Sequence, residues 1–186
     1  MLPLLDDSLI ATKQLLGYKL VNTTLEGVTS GYIVEAEAYS MLDPASHSFK
    51  GVTARTKPMF EGPGTIYVYF TYGMHYCFNI VTGPIGNGQA VLIRALEPVD
   101  GINLMKQRRG LNDIHNLTNG PAKLVQAMGI NKNYNGKNIL DGSSELQLEP
   151  GIKPKAIVQT TRIGISKSTD LKWRFYIKDN PFISKK

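Results

Sequence analysis

The sequence predicts a single α+β domain in which a framework of strands carries short flanking helices. Three observations carry that prediction. Runs rich in β-branched and aromatic residues at Gly31 to Tyr39, Thr65 to Phe70, Tyr76 to Val81 and Gln89 to Ala95 read as strands. Two stretches, one beginning at Ser8 and one after Gly120, have apolar residues at helical spacing and glycines placed to stop them. Neither an internal repeat nor an interdomain linker interrupts the 186 residues, a length at which one core buries most of the apolar surface.

Taken in order, Ser8 is expected to cap a helix through Leu9 and Leu16 that Gly17 ends, and a strand follows through Leu20 and Val21. The four strong runs then form what reads as a mixed sheet. The segment from Thr65 to Ile80 reads as two strands joined near Thr71 to Met74, where Gly73 supplies the turn conformation, Tyr72 stands at the tip, and Phe70 and Phe78 point into the core. Asn119, Gly120 and Pro121 open a second helix, since a proline in the first turn lacks only an N–H that would have no intrahelical partner. Leu124, Val125 and Met128 form its apolar stripe and Gly129 ends it. The Asn, Gly, Ser and Pro content from Asn131 to Pro154 reads as irregular surface structure, and late strands near Ala156 to Thr161 and Arg174 to Ile177 close the chain.

Composition excludes several classes of function. An apolar share of 42% and a charged share of 19% are those of an ordinary globular chain, and no stretch approaches the length of a membrane span. Cys77 is the only cysteine, so no intramolecular disulfide or cysteine-based zinc site is expected. His47, His75 and His115 lack paired spacing, so no metal is expected either. No secretory signal is read at Met1 to Ser8, and a cytoplasmic location is the expectation. Twenty-one basic residues against fifteen acidic ones leave a net charge of +6, partly clustered at Lys50, Arg55 and Lys57, at Lys106, Arg108 and Arg109, and at Lys185 and Lys186. Such a balance suits a nucleic-acid partner, although solvated loops also account for it.

Two segments can carry chemistry. In Val34 to Tyr39, a period of two places Glu35, Glu37 and Tyr39 on one face of a strand, either as a solvent-facing edge or as a carboxylate beside an aromatic wall able to act as a general base. Burial on this strand need not follow simple alternation, because Ala36 and Ala38 make a poor core face. In Thr65 to Ile80, an aromatic at a hairpin tip has no core to pack in, and apolar wedges between base steps are a known way of distorting DNA. Tyr72 is therefore expected to enter the duplex.

With these residues in view, the sequence resembles the alkyladenine (methylpurine, or 3-methyladenine) DNA glycosylases of the mammalian type, from about Leu5 to Ser184. The resemblance rests on VEAEAY at Val34 to Tyr39, ASH at Ala45 to His47, PGTIYVYFTYGM at Pro63 to Met74, VLIRALEP at Val91 to Pro98 and GPAKLVQAMGIN at Gly120 to Asn131. It implies a compact domain on a curved, mostly antiparallel sheet, and a monofunctional enzyme without metal or organic cofactor. It also implies site roles: Glu37 as the catalytic carboxylate, Arg94 beside the catalytic water, Tyr39, His47 and Tyr69 as an aromatic base pocket, Leu92 as a pocket-side apolar residue, Asn79 as the group that rejects guanine, and Tyr72 as the intercalating residue. The chain departs from the family pattern at Ala36, where threonine is expected, in a Tyr39 to His47 stretch about one residue short, and between Asn135 and Pro154.

The implied partner is double-stranded DNA containing damaged purines, bound by a monomer. Flipping a base costs a few kcal/mol, least where damage has weakened pairing. Aromatic walls are expected to favour cationic 3-methyladenine and 7-methylguanine electronically, leaving hypoxanthine and ethenoadenine to shape and hydrogen bonding. Tyr67 is expected to be a structural neighbour of the site and Met74 and Tyr76 to serve packing, and a structural pair with Glu97 is the other role open to Arg94. Two rival functions remain at this level: a noncatalytic binder of distorted DNA with the same fold, and a hydrolase of RNA or purine nucleosides.

Overall fold

Thirteen residues, Gly27–Tyr39, form one long strand on which the molecule is built. The computed structural model describes residues 3–71 and 75–185. In chain order the strands are β1 (Lys19–Thr24), β2 (Gly27–Tyr39), β3 (Ile66–Thr71), β4 (His75–Val81), β5 (Ala90–Pro98), β6 (Leu146–Glu149), β7 (Ile157–Thr160) and β8 (Arg174–Ile177). Helices α1 (Ser8–Leu15), α2 (Ile102–Arg109) and α3 (Pro121–Met128) and short 3-10 turns connect them. The strands run β3-β4-β5-β2-β1-β6, with β8 paired to β2 and β7 to β8.

Every strand pairing described is antiparallel, so the expected mixed sheet is corrected to an antiparallel one. A tight hairpin joins β1 to β2, and only three residues separate β3 from its partner β4, too few for the crossovers that parallel neighbours need. One edge of β2 is shared: β1 pairs along Gly27 to Tyr32 and β8 takes over at Glu35 to Glu37. The β2–β5 register shifts on both sides of Glu35, an irregularity that bends a strand and re-aims its side chains. The sheet thereby curls into a half-barrel.

Alternation along these strands divides the residues between two faces. Val34 and Ala36 of β2, Ile66 and Val68 of β3, Phe78 and Ile80 of β4 and Val91 and Ile93 of β5 join Leu4, Leu15, Met105, Leu124, Met128 and Phe175 in the main core. Ala36 is thus a core residue, its small side chain fully buried. The residues between them, Glu35, Glu37 and Tyr39, Tyr67 and Tyr69, Cys77 and Asn79, and Leu92 and Arg94, fall on the opposite face. A smaller apolar cluster of Met59, Tyr67, Val81 and Ala90 supports that second face.

Several local expectations change. Asp7, not Ser8, caps α1: its carboxylate accepts the Leu9 N–H at 2.8 Å, and Ser8 is the first helical residue. Phe70 is 51% exposed and leans on Tyr76 instead of entering the core. Helix α2, capped at both ends by left-handed glycines, is not legible in the sequence because Met105 is its one buried residue, too few to mark an apolar stripe. Strand β6 lies within the stretch read as irregular, four residues held by pairing with β1.

Candidate active site

The bulged centre of β2 carries two fully buried carboxylates with different surroundings. Glu35 Oε1 accepts from Arg94 Nε at 3.0 Å, Arg174 Nη1 at 3.0 Å and the Ser184 hydroxyl at 2.8 Å, and its Oε2 accepts the Ser184 N–H. Glu37 Oε1 accepts the Ile163 N–H at 2.8 Å and lies 3.3 Å from Arg94 Nη1, while its Oε2 accepts the Tyr39 hydroxyl at 2.9 Å. Arg94 therefore bridges the two acids. It has no part in a pair with Glu97, whose carboxylate is bonded to Asn180 at 2.7 Å. Both glutamates are inward-facing, which removes the solvent-edge reading of this strand face.

Burial pushes the Glu37 carboxyl above its ordinary value, more than Arg94, the Ile163 N–H and the Tyr39 hydroxyl draw it down. Burial and the neighbouring Glu37 also push the Tyr39 phenol up, so it stays protonated and remains a donor. Glu35 is saturated by donors, whereas Glu37 accepts two hydrogen bonds beside its ion pair with Arg94 and keeps acceptor capacity on Oε2, which a carboxylate with about four lone-pair sites can offer to water.

Above the carboxylates lies a cavity of about 500 Å3, within the size range of small-ligand sites. Tyr39, His47, Tyr69, Asn79, Leu92 and Arg94 all line it, so the structure brings together six of the eight residues singled out in the sequence. Glu37 sits directly beneath, against Tyr39 and Arg94, without itself forming the lining. Tyr72 lies outside the described residues, as does Met74, while the adjoining Thr71 reaches the lining.

The walls are mutually braced. His47 Nδ1 is 2.9 Å from the Tyr67 hydroxyl, and its ring meets Tyr69 edge-on with centroids 4.5 Å apart. Tyr67 and Tyr69 stack at 5.4 Å. Desolvation of the imidazole, aided by the Arg55 charge, holds His47 below its ordinary value, so the ring is neutral at neutral pH. Asn79 Nδ2 donates to the Tyr67 carbonyl at 3.0 Å, which fixes its carboxamide in the wall. Among the described residues no His, Cys, Asp and Glu side chains gather into a set of three able to hold a metal ion.

The sequence matches the methylpurine-DNA glycosylase family over residues 4–181. The chain belongs to that family. The resemblance read from VEAEAY and the other ordered segments is thus borne out, and the molecule is a DNA glycosylase, a hydrolase of N-glycosyl bonds that serves DNA repair. This glycosylase is 52% identical over 179 residues to a protein of Francisella tularensis subsp. tularensis (strain SCHU S4 / Schu 4), a match spanning 95% of this chain and 93% of the relative. It is 50% identical over 182 residues to one of Carboxydothermus hydrogenoformans, and 48% identical over 183 residues to one of Methanoculleus marisnigri, each match spanning 97% of this chain and 95% of the relative. All three relatives bear the name "Putative 3-methyladenine DNA glycosylase".

Three features of the glycosylase's site escaped the sequence reading. Tyr67, expected as a structural neighbour, is itself part of the pocket wall and holds His47. The segment from Ile163 to Lys167 forms one side of the cavity. Arg162, whose side chain is fully buried, pairs with Asp43 and donates to the Ala38 carbonyl at 3.0 Å, which anchors the neighbouring Ile163 N–H against Glu37. Nothing in a lone arginine after a short strand signals that role. The basic clusters also divide: Arg108 is tied to Glu26 and the Ala127 carbonyl and Arg109 to Gln126, so that cluster packs α2 against α3, while Arg55 stands at the pocket.

Proposed function

We propose that this glycosylase flips a damaged purine out of duplex DNA into the aromatic cavity and hydrolyses its bond to the sugar with a water activated by Glu37. The observation that carries this reading is the buried Glu37 carboxylate beneath a base-sized pocket, positioned by Arg94, the Ile163 N–H and the Tyr39 hydroxyl, with acceptor capacity to spare. As C1′–N bond breaking gives the sugar oxocarbenium character, an anion close below stabilises it and takes a proton from the attacking water. The water oxygen joins C1′, and the purine leaves with the bonding pair and, if neutral, a proton. The substrates are 3-methyladenine, 7-methylguanine, hypoxanthine and ethenoadenine, and the enzyme acts as a monomer on DNA in the cytoplasm.

The direct test scores base release from duplexes bearing one hypoxanthine or one ethenoadenine, and from methylated DNA. Release of the damaged purines supports the reading. Lesion binding above undamaged controls without any release would make the protein a noncatalytic damage binder, and preference for ribose substrates would favour the nucleoside-hydrolase alternative.

The raised Glu37 carboxyl sets the pH dependence. The group must be ionised to accept a proton, so excision of a neutral lesion should rise with pH through a value above 4.5 and fall off on the acid side of it. An acid limb at or below the ordinary carboxyl value, or one that persists unchanged in Glu37→Gln, would remove Glu37 from the base role.

Asn79 bears on selectivity. A carboxamide fixed by the Tyr67 carbonyl meets guanine's exocyclic amino group either with a clash or without a partner, and an unsatisfied buried donor costs about 1–3 kcal/mol. Asn79→Ser should therefore raise excision of guanine-like bases by about tenfold or more. Competition assays between guanine and hypoxanthine duplexes read this, and an unchanged ratio would exclude the role.

A further inference from the structure

We infer that Arg55 and Arg162 are specificity-determining residues whose guanidinium groups lie against the two tyrosine walls of the base pocket, outside the cavity, and weaken its preference for cationic over neutral purines. The inference rests on the flipped-base reading above and deepens it. Arg162 lies over the Tyr39 ring, 4.6 Å from its centroid, and Arg55 over the Tyr69 ring at 5.4 Å. Neither guanidinium contributes to the cavity lining, which both rings do. Each charge thus sits outside the pocket against a ring whose remaining surface meets the base.

An aromatic face attracts a cation through the negative charge of its π cloud. A guanidinium already on the ring draws that density to itself and repels a second cation brought to the same ring. Lys167 adds a positive charge to the lining, where the charge of Arg94 is offset by Glu35 and Glu37. Arg162 is held in place by Asp43 and the Ala38 carbonyl, so its position over Tyr39 does not depend on ligand. A methylated cationic purine therefore gains less from Tyr39 and Tyr69 than isolated rings would give, while a neutral purine such as hypoxanthine keeps its stacking in full.

The two lesion classes separate this role from a structural one. A contact between Arg55 and phosphate, or a general loss of packing, lowers excision of both lesions in one duplex sequence together, so the ratio between them is unaffected. The experiment competes 7-methylguanine against hypoxanthine in otherwise identical duplexes, with the spontaneous release of 7-methylguanine subtracted, and reads the kcat/KM ratio. Arg55→Gln should raise the 7-methylguanine to hypoxanthine ratio by about threefold, the scale of one exposed cation–π contact. Arg55→Lys, which keeps the charge, should leave the ratio near that of wild type, and Arg162→Met should move it in the same direction as Arg55→Gln. Removing Arg162 also unpairs buried Asp43 and loosens Ile163, so the Arg55 pair decides the matter if that variant does not fold. An unchanged or lowered ratio in Arg55→Gln, or an equal rise in Arg55→Lys, overturns the inference while leaving the glycosylase reading intact. Release of neither lesion by wild type would instead overturn the proposed function, and the inference with it.

Discussion

Glu37→Gln should lower single-turnover release of hypoxanthine by about a hundred- to ten-thousandfold, the span that a positioned general base supplies. The substitution keeps the shape of the side chain, removes its negative charge and its capacity to take a proton, and turns one acceptor oxygen into an NH2 donor. Arg94 retains its bond to Glu35 at 3.0 Å, the remaining oxygen can accept the Ile163 N–H, and the Tyr39 hydroxyl can rotate to accept from the new NH2, so the pocket should keep its form. Affinity for a hypoxanthine duplex, measured by fluorescence anisotropy, should then remain measurable and close to that of wild type. A variant that released base within tenfold of wild type would place the chemistry on another group. Loss of binding and release together would show instead that the charge holds the site's structure.

Glu35→Ala should act in the opposite way, chiefly on stability. Glu35 takes donors from Arg94, Arg174 and Ser184, and its removal leaves Arg174 buried without its anion and Arg94 with Glu37 alone. Breaking a buried pair from one side costs about 3–5 kcal/mol. For a chain of this size each kcal/mol lowers Tm by about 2–4 °C, so a drop of about 6–20 °C is expected in thermal denaturation followed by circular dichroism. A shift below about 3 °C would show that the arginines find other partners or solvent. Two carboxylates one turn of the pleat apart would then prove less distinct than their hydrogen bonds make them.

The division between Glu35 and Glu37 shows how far the residues alone could be read. Period-two alternation already placed Glu35, Glu37 and Tyr39 on one face, and the structure keeps them there. It could not say that Glu35 is enclosed by Arg174 and Ser184, which lie 139 and 149 residues away along the chain. Nor could it show Arg94 bridging both acids, because that depends on the register shift between β2 and β5. Phe70, expected in the core because most strand aromatics pack there, is exposed instead: on β3 Ile66 and Val68 reach the core, while Phe70 lies against Tyr76.

What the sequence determined by itself was local: strand runs with alternating faces, a helix opened by Pro121 and ended by Gly129, and ordered motifs specific enough to indicate the family and the pocket residues Tyr39, His47, Tyr69, Asn79, Leu92 and Arg94. What only the tertiary structure decided was every property set by contacts across long separations. The all-antiparallel order of the sheet, the supporting roles of Tyr67 and Arg162, and the unequal environments of two glutamates two residues apart belong here. The physical reason is that backbone periodicity is written in neighbouring residues, whereas burial, hydrogen-bond satisfaction and local charge depend on which distant segments the fold brings against them.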